Sequence, residues 1–281
     1  MIILINQCTI TRLTNTQSPN TPIPTSMQTH TPRIHWLPAL LLVLAVLSGC
    51  SADKSSEIAP NANNGTGGSL ARFAIVDNHL YTVSNSRLKV FDVSQPQLPR
   101  QVQDVKLGFN IETIFPYNGM LFIGSRTGMQ IYDNTNPVQP VKLSEYRHVQ
   151  SCDPVVVQGS YAYVTLRDGT DCRFGQNMLD VINIANPRVP VLERTFPMLN
   201  PHGLGIDGNV LFVCEGDHGL KVFDATDPVN LVEKQFIKNI RTYDVIPRNK
   251  VLLVVGKDGL MQYDYRDADT LKLLSMIPLA N

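Results

Sequence analysis

The stretch Leu220-Lys-Val-Phe-Asp224 decides the fold, because four further versions of it occur along the chain. The other copies are Leu88-Lys-Val-Phe-Asp92, Met129-Gln-Ile-Tyr-Asp133, Leu179-Asp-Val-Ile-Asn183 and Leu260-Met-Gln-Tyr-Asp264. They end at residues 92, 133, 183, 224 and 264, so the intervals are 41, 50, 41 and 40 residues. A period near 41, with one insertion of about nine residues, predicts five copies of one structural unit.

Each repeat has the pattern of four short strands. In the second repeat, the strand-like residues 111–115 precede Asn118-Gly119, a dipeptide that favours a tight hairpin turn. Asp133 ends the third strand, where its carboxylate can accept backbone N–H groups of a turn closed by Pro137. A proline occupies this place in four copies, and the fifth copy has Ala268 instead.

Four strands per repeat at this period are typical of a β-propeller blade. Residues 69–281 have room for five such units and contain no run of helical periodicity. We therefore predict an all-β fold in which five four-stranded blades close into a ring. An open β-solenoid and a β-sandwich are the alternatives, although a sandwich does not require a periodic Asp-x-x-x-Pro element.

The repeat resembles the LVIVD repeat of bacterial surface and secreted proteins. The likeness rests on segments such as Gly159-Ser-Tyr-Ala-Tyr-Val164 and Gly219-Leu-Lys-Val-Phe-Asp-Ala-Thr-Asp-Pro228, and it extends over residues 69–281. This resemblance implies a propeller fold and no particular activity, because the family is a structural class. The sequence lacks the Trp-Asp pair of WD40 blades and the paired glycines of kelch blades.

The first fifty residues have the pattern of an export signal. An apolar run follows the basic residue Arg33 and leads into Leu47-Ser-Gly-Cys50. The run has the length of a signal-peptide core and is too short to span a bilayer comfortably. The segment resembles a bacterial lipoprotein signal, which implies cleavage before Cys50 and a diacylglycerol on its sulfur. An ordinary secretory signal and a buried apolar helix are the alternatives.

This interpretation divides the chain into three parts. Residues 1–49 form the signal region, residues 50–68 a flexible polar linker and residues 69–281 the propeller. Met27 would give a signal of ordinary length, so we predict that it is the true start. Ser51, where an aspartate would retain a lipoprotein at the inner membrane, implies sorting to the outer membrane.

Composition limits the expected partners. The chain has 24 basic and 24 acidic residues, and removal of the signal with Arg12 and Arg33 leaves a formal charge of −2. A near-neutral chain without a basic cluster does not suit nucleic acid. We predict no cofactor, and two kinds of partner: the membrane, through the lipid on Cys50, and an unidentified envelope protein or glycan.

In a propeller, the loops before strand A and between strands B and C share one face, here called the loop face. Cys152 begins strand A of the third repeat, and Cys172 lies in the insertion at its B–C position. In an oxidising envelope compartment we predict a disulfide between them, with two free thiols as the alternative. Cys214, within a B strand, is expected to be buried.

Candidate binding residues share the loop face. Asp153, His202 and Asp244 begin successive A strands, where they could converge on a cation or an amine. An ordinary polar rim is the alternative, and no metal site is predicted. The B–C loops add a set of polar side chains of mixed charge: Arg126, Arg167, Glu215, Asp217 and His218.

These features predict a lipid-anchored binding or scaffold protein of the cell envelope, whose loop face contacts a protein or a glycan. An envelope hydrolase or lyase that uses Asp153, His202 and Asp244 at the channel mouth is the alternative. A third hypothesis is an assembly component that binds partner chains along a blade edge.

Overall fold

The computed structural model describes residues 64–65, 67–147, 154–169 and 176–279. Within these ranges the chain forms β-strands and turns, and no helix long and apolar enough to cross a membrane is found there. The signal region, Cys50, most of the linker and the two cysteines of the predicted disulfide lie outside the described residues.

The strands form five antiparallel sheets, one for each repeat. The first blade contains β1 (Asn64–Gly65), β2 (Phe73–Val76), β3 (His79–Val83), β4 (Arg87–Asp92) and β5 (Arg100–Lys106). The second contains β6 (Ile111–Tyr117), β7 (Met120–Ser125), β8 (Gly128–Asp133) and β9 (Val141–Arg147). The third contains β10 (Val155–Gln158), β11 (Tyr161–Leu166), β12 (Met178–Asn183) and β13 (Val191–Pro197).

The last two blades follow the same order. The fourth contains β14 (Leu204–Asp207), β15 (Val210–Cys214), β16 (Leu220–Asp224) and β17 (Val232–Ile237). The fifth contains β18 (Thr242–Arg248), β19 (Val251–Gly256), β20 (Gly259–Asp264) and β21 (Lys272–Pro278). The predicted all-β propeller of five four-stranded blades is confirmed.

Each blade is a meander whose first full strand, strand A, lies innermost. The A strands of successive blades contact one another, from β2 through β6, β10 and β14 to β18. The fourth strand of each blade, strand D, is the outermost and most exposed. The A–B turns and C–D loops therefore share one face, here called the turn face, opposite the loop face.

The local turns form for the reasons that the sequence indicates. Asn118 and Gly119 have φ values of 44° and 69°, which suit the tight turn that joins Tyr117 to Met120. At the end of strand C, a side-chain oxygen accepts the backbone N–H two residues later in all five repeats. These acceptors are Asp92, Asp133, Asn183, Asp224 and Asp264.

Apolar packing between successive blades forms the core. One position of strand B points toward the next blade and carries an aromatic ring in four repeats: Tyr81, Phe122, Tyr163 and Phe212. All four are at most 1% exposed, and each belongs to a separate cluster with the following blade. Four such clusters join five blades in series.

The contact between the fifth and first blades, here called the seam, differs from the other four. Among the described residues no cluster of buried apolar side chains spans it. Phe73 of β2 is 57% exposed, although the side chains at its position in the other blades are at most 2% exposed. Those are Ile114, Val155, Leu204 and Val245. The seam therefore differs from the other four contacts, each of which contains a buried apolar cluster.

We predict that leucines at one position of strand C contribute unequally to the free energy of unfolding. Leu220 is fully buried against the fifth blade, whereas Leu260 faces the seam and is half-buried. Leu220→Ala should lower the free energy of unfolding by about 3 kcal/mol, and Leu260→Ala by about 1 kcal/mol. Urea unfolding of both variants measures the difference, and equal losses would contradict an open seam.

Candidate functional site

The loop face is built by the B–C loops and the D–A connections, which hydrogen bonds join to each other. The Thr242 amide donates to Gly216 O at 2.9 Å, and its hydroxyl donates to Gly219 O at 2.6 Å. Both carbonyls belong to the B–C loop of the fourth blade, so this loop is fixed to the start of the fifth. Hydrogen bonds between neighbouring connections therefore restrain the loops of this face.

His202 lies half-buried at the junction of the fourth and fifth blades. Its ring centroid is 5.7 Å from that of Tyr243. Burial and the nearby Arg167 lower the pKa of His202 to about 4, against a smaller opposite effect of Asp217. The imidazole is therefore neutral at neutral pH. A Cβ on Gly216 would lie 2.6 Å from Asn200 Nδ2 and 2.8 Å from His202 Nε2, so both side chains would have to shift.

Asp244 connects the fifth blade to the segment that precedes the first. Its Oδ1 accepts the Ser69 hydroxyl at 3.1 Å, and its Oδ2 accepts the Leu70 amide at 3.3 Å. Ser69 Oγ in turn accepts the Leu204 amide at 2.7 Å. Hydrogen bonds thus cross the mouth of the channel and link the first, fourth and fifth blades.

The carboxylate of Asp244 occupies a space that only glycines leave open. A Cβ on Gly68 or Gly203 would overlap it. Burial raises the pKa of Asp244 to about 6, although hydrogen bonds from Val245, Leu70 and Ser69 act in the opposite direction. Its role in this structure is to hold the channel mouth together across the seam.

The predicted convergence at the channel mouth stays a prediction. His202 contacts Tyr243, Asp244 accepts hydrogen bonds from Ser69 and Leu70, and Asp153 lies outside the described residues. The described ranges do not hold a group of three His, Cys, Asp or Glu side chains placed for a metal.

Glu215 lies beneath the loop face rather than on it. The residue is fully buried, and its Oε1 is 3.2 Å from the Lys221 ammonium. Its Oε2 accepts the backbone amides of Leu199 and Asn200 at 3.0 and 2.8 Å. The carboxylate thus holds the D–A connection between the third and fourth blades in place. Sequence position alone suggested an exposed loop residue, because the burial depends on this neighbouring connection.

The other predicted B–C loop residues stand at the surface. Asp217 and His218 are exposed at the tip of their loop. Arg126 is half-buried and pairs with Glu112 at 2.9 Å, and the half-buried Arg167 lies close enough to His202 to affect its pKa. The structure therefore places Arg167, His202 and Asp217 near one another, at the third and fourth blades.

Sequence reasoning missed the exposed apolar side chains of this face. Phe109 is 74% exposed in the D–A connection between the first two blades. It stands between Gly108 and Asn110, whose φ values of 115° and 60° direct the chain sharply outward. Leu199 is 48% exposed in the D–A connection before the fourth blade, and Tyr243 is 37% exposed at the bulge that begins β18. A lone apolar residue between turn-forming residues was the available signal, but it carries no periodicity.

Two ion pairs lie on this face. Arg126 and Glu112 form one ion pair, and Arg241 and Asp258 form another. The guanidinium of Arg72 donates to the Ile111 carbonyl at 2.7 Å. A surface of exposed apolar groups among neutralised charges suits a protein contact better than a phosphate.

A family comparison agrees with this geometry. The model of the LVIVD repeat matches residues 150–196, which cover most of the third blade. The chain is a five-bladed β-propeller that carries an LVIVD repeat. No curated protein matches the sequence.

Solved structures share the fold of this LVIVD-repeat propeller at low identity. A functionally unknown protein from Desulfotomaculum acetoxidans superposes with a TM-score of 0.61 at 13% identity, over 75% of this chain and 70% of that one. The computationally designed Ika8 protein gives 0.54 at 14%, over 72% and 59%. BamB from Moraxella catarrhalis gives 0.50 at 10%, over 66% and 53%. The chain thus matches less than two thirds of the length of the last two.

We predict that Asp244 makes stability depend on pH. Its pKa is about 6 in the folded protein, against 3.8 as the ordinary value, so its contribution is fully present below pH 3.8 and is lost as the pH rises through 6. Relative to Asp244→Asn, the free energy of unfolding of the unmodified protein should fall between pH 4 and pH 7.

Urea unfolding at several pH values measures this effect. Ser69→Ala provides the control, because it removes one hydrogen-bond donor and keeps the ionisable group. This variant should retain the pH dependence. If the free energy of unfolding varied with pH in the same way in Asp244→Asn and in the unmodified protein, Asp244 would not be the source of the pH dependence.

Proposed function

We propose that this protein is a lipid-anchored binding protein of the bacterial cell envelope, and that its loop face contacts another envelope protein. The fold supports a scaffold or binding role. The observation that carries the finer proposal is the exposure of Phe109 and Leu199 on loops, and of Tyr243 at the start of β18, at one face of the propeller. Glycan binding is the alternative that the test must separate.

Exposed aromatic and aliphatic groups are the usual anchors of protein interfaces. Truncation of a few such side chains commonly removes most of the binding energy. Phe109 is the most exposed large apolar residue of the structure's described part, at 74%. The nearby Arg126–Glu112 pair offers polar contacts around this anchor without a strong field of one sign. This composition favours a protein over a nucleic acid or a lipid headgroup.

We expect Phe109→Ser and Tyr243→Ser to weaken capture of envelope proteins about tenfold each, as loss of an interface anchor does. Crosslinking in intact cells, followed by purification of the full-length protein, measures the capture. Leu98→Ser is the matched control, because Leu98 is 73% exposed but lies in a C–D loop on the turn face.

Three results would contradict the proposed protein contact. Capture that survives both loop-face substitutions would exclude this surface. Equal loss in Leu98→Ser would indicate a nonspecific effect of surface hydrophobicity. If the purified protein binds a purified envelope glycan, and Phe109→Ser abolishes that binding, the loop face contacts a glycan instead of a protein.

Lipid attachment has a separate test. Cys50→Ala should shift the protein from the membrane fraction to the soluble fraction, because it removes the thiol that the lipid requires. Cys8→Ser is the control and should leave fractionation unchanged, since Cys8 precedes the predicted start at Met27. A mature peptide without a lipid-sized mass increase on Cys50 would refute the anchor and leave the loop-face proposal standing.

A further inference from the structure

The outermost strand of the fifth blade is unusually exposed and apolar. Every residue of β21 is exposed. Its four large apolar side chains and the leucine that follows are each 43–63% exposed: Leu273, Leu274, Met276, Ile277 and Leu279. We propose that β21 is a dimerisation strand, which pairs antiparallel with β21 of a second copy of this chain.

The corresponding side chains of other blades are covered by the next blade. Ile277 occupies the position of Val105, Tyr146, Phe196 and Ile237, which all pack against the following blade. No following blade covers Ile277, because the seam carries no apolar cluster among the described residues. Ile277 therefore has the chemistry of a buried contact position, and no described residue covers it in the way the following blade covers its counterparts.

The polar contacts of strand D show the same difference. The Gln103 side chain donates to Val138 O of the next blade at 3.0 Å, and the Gln235 side chain accepts the Leu271 amide at 2.9 Å. Ser144 donates likewise to Pro187 O. Ser275 is the equivalent residue of β21, and its hydroxyl forms no hydrogen bond with a described residue of another blade.

The other outer strands carry charges that discourage pairing with another chain. β5 has Arg100, Asp104 and Lys106, and the strands β9, β13 and β17 each have at least two charged residues. β21 has only Lys272, at its first position. Charged residues are a common protection of exposed strand edges, so β21 alone of the five lacks it.

The sequence of β21 suits a second copy because it is compatible with itself. Antiparallel pairing centred on Ser275 sets Met276 against Leu274, the bulged residue of β21, and Ile277 against Leu273 of the second copy. Lys272 meets Pro278, which has no N–H and ends the ladder. The same pairing of β5 would set Arg100 against Lys106, two like charges. Charge therefore permits self-pairing at β21 and opposes it at β5.

A two-fold axis at Ser275 closes the assembly at two copies, and such symmetry is the commonest among soluble homo-oligomers. One strand and its side chains bury less than the roughly 800 Å² per partner of a standard stable interface. We therefore expect a dimer that dissociates on dilution. This inference does not depend on the proposed partner of the loop face, which lies on another side of the blades.

Ser275→Cys tests the symmetry directly. Two cysteines beside a two-fold axis should form an intermolecular disulfide under mild oxidation, in full-length protein that carries Cys50→Ala to keep it free of membrane. Val232→Cys on β17 is the matched control, because Val232 is 57% exposed on another outer strand. It should give no crosslinked dimer. Crosslinking of both variants, or of neither, would overturn the proposal.

Sedimentation across a concentration series provides the second measurement. The Cys50→Ala protein should change from monomer to dimer as its concentration rises. Adding Ile277→Lys should weaken association at least tenfold, because two ammonium groups would enter the paired strands, whereas adding Val232→Lys should not. The proposed dimer would be refuted if the protein stayed monomeric at every concentration, or if Ile277→Lys left the dimer equally stable. It would also be refuted if β21 paired only with another envelope protein.

Discussion

Packing of one blade on the next is the contact on which this structure depends. A four-stranded meander of short strands has two large faces, and neither is satisfied by the blade itself. Each of the first four blades buries one aromatic ring against the blade that follows it: Tyr81, Phe122, Tyr163 and Phe212. Burial of one such ring contributes about 3 kcal/mol. The blades are therefore stable together and not singly.

The seam differs from the other contacts because the fifth blade presents smaller and more polar side chains to the first blade. Its strand-B position carries the half-buried Leu253 in place of an aromatic ring, and its strand-C position carries Gln262 in place of Val90, Ile131, Val181 and Val222. Hydrogen bonds between Asp244, Ser69 and Leu70 replace apolar burial there. A desolvated carboxylate thus joins the two ends of the series, at the cost of a raised pKa.

The two exposed surfaces of the molecule have different origins. The loop face owes its shape to hydrogen bonds among connections, such as those that Glu215 makes to Leu199 and Asn200. Its exposed Phe109 is presented by two residues with positive φ. The strand β21, in contrast, is exposed where no buried apolar cluster of the described residues joins the fifth blade to the first.

The sequence by itself determined the number of blades, their four strands, the Asn118-Gly119 turn and the oxygen acceptor that ends each strand C. These features are local or periodic, so the order of residues specifies them directly. Only the tertiary structure decided that Glu215 is buried, that Asp244 bonds to Ser69, and that Phe73 and Ile277 are exposed. Each of these outcomes depends on which residues from distant repeats approach one another. A repeat pattern describes every blade alike and therefore cannot distinguish the pair of blades that meets at the seam.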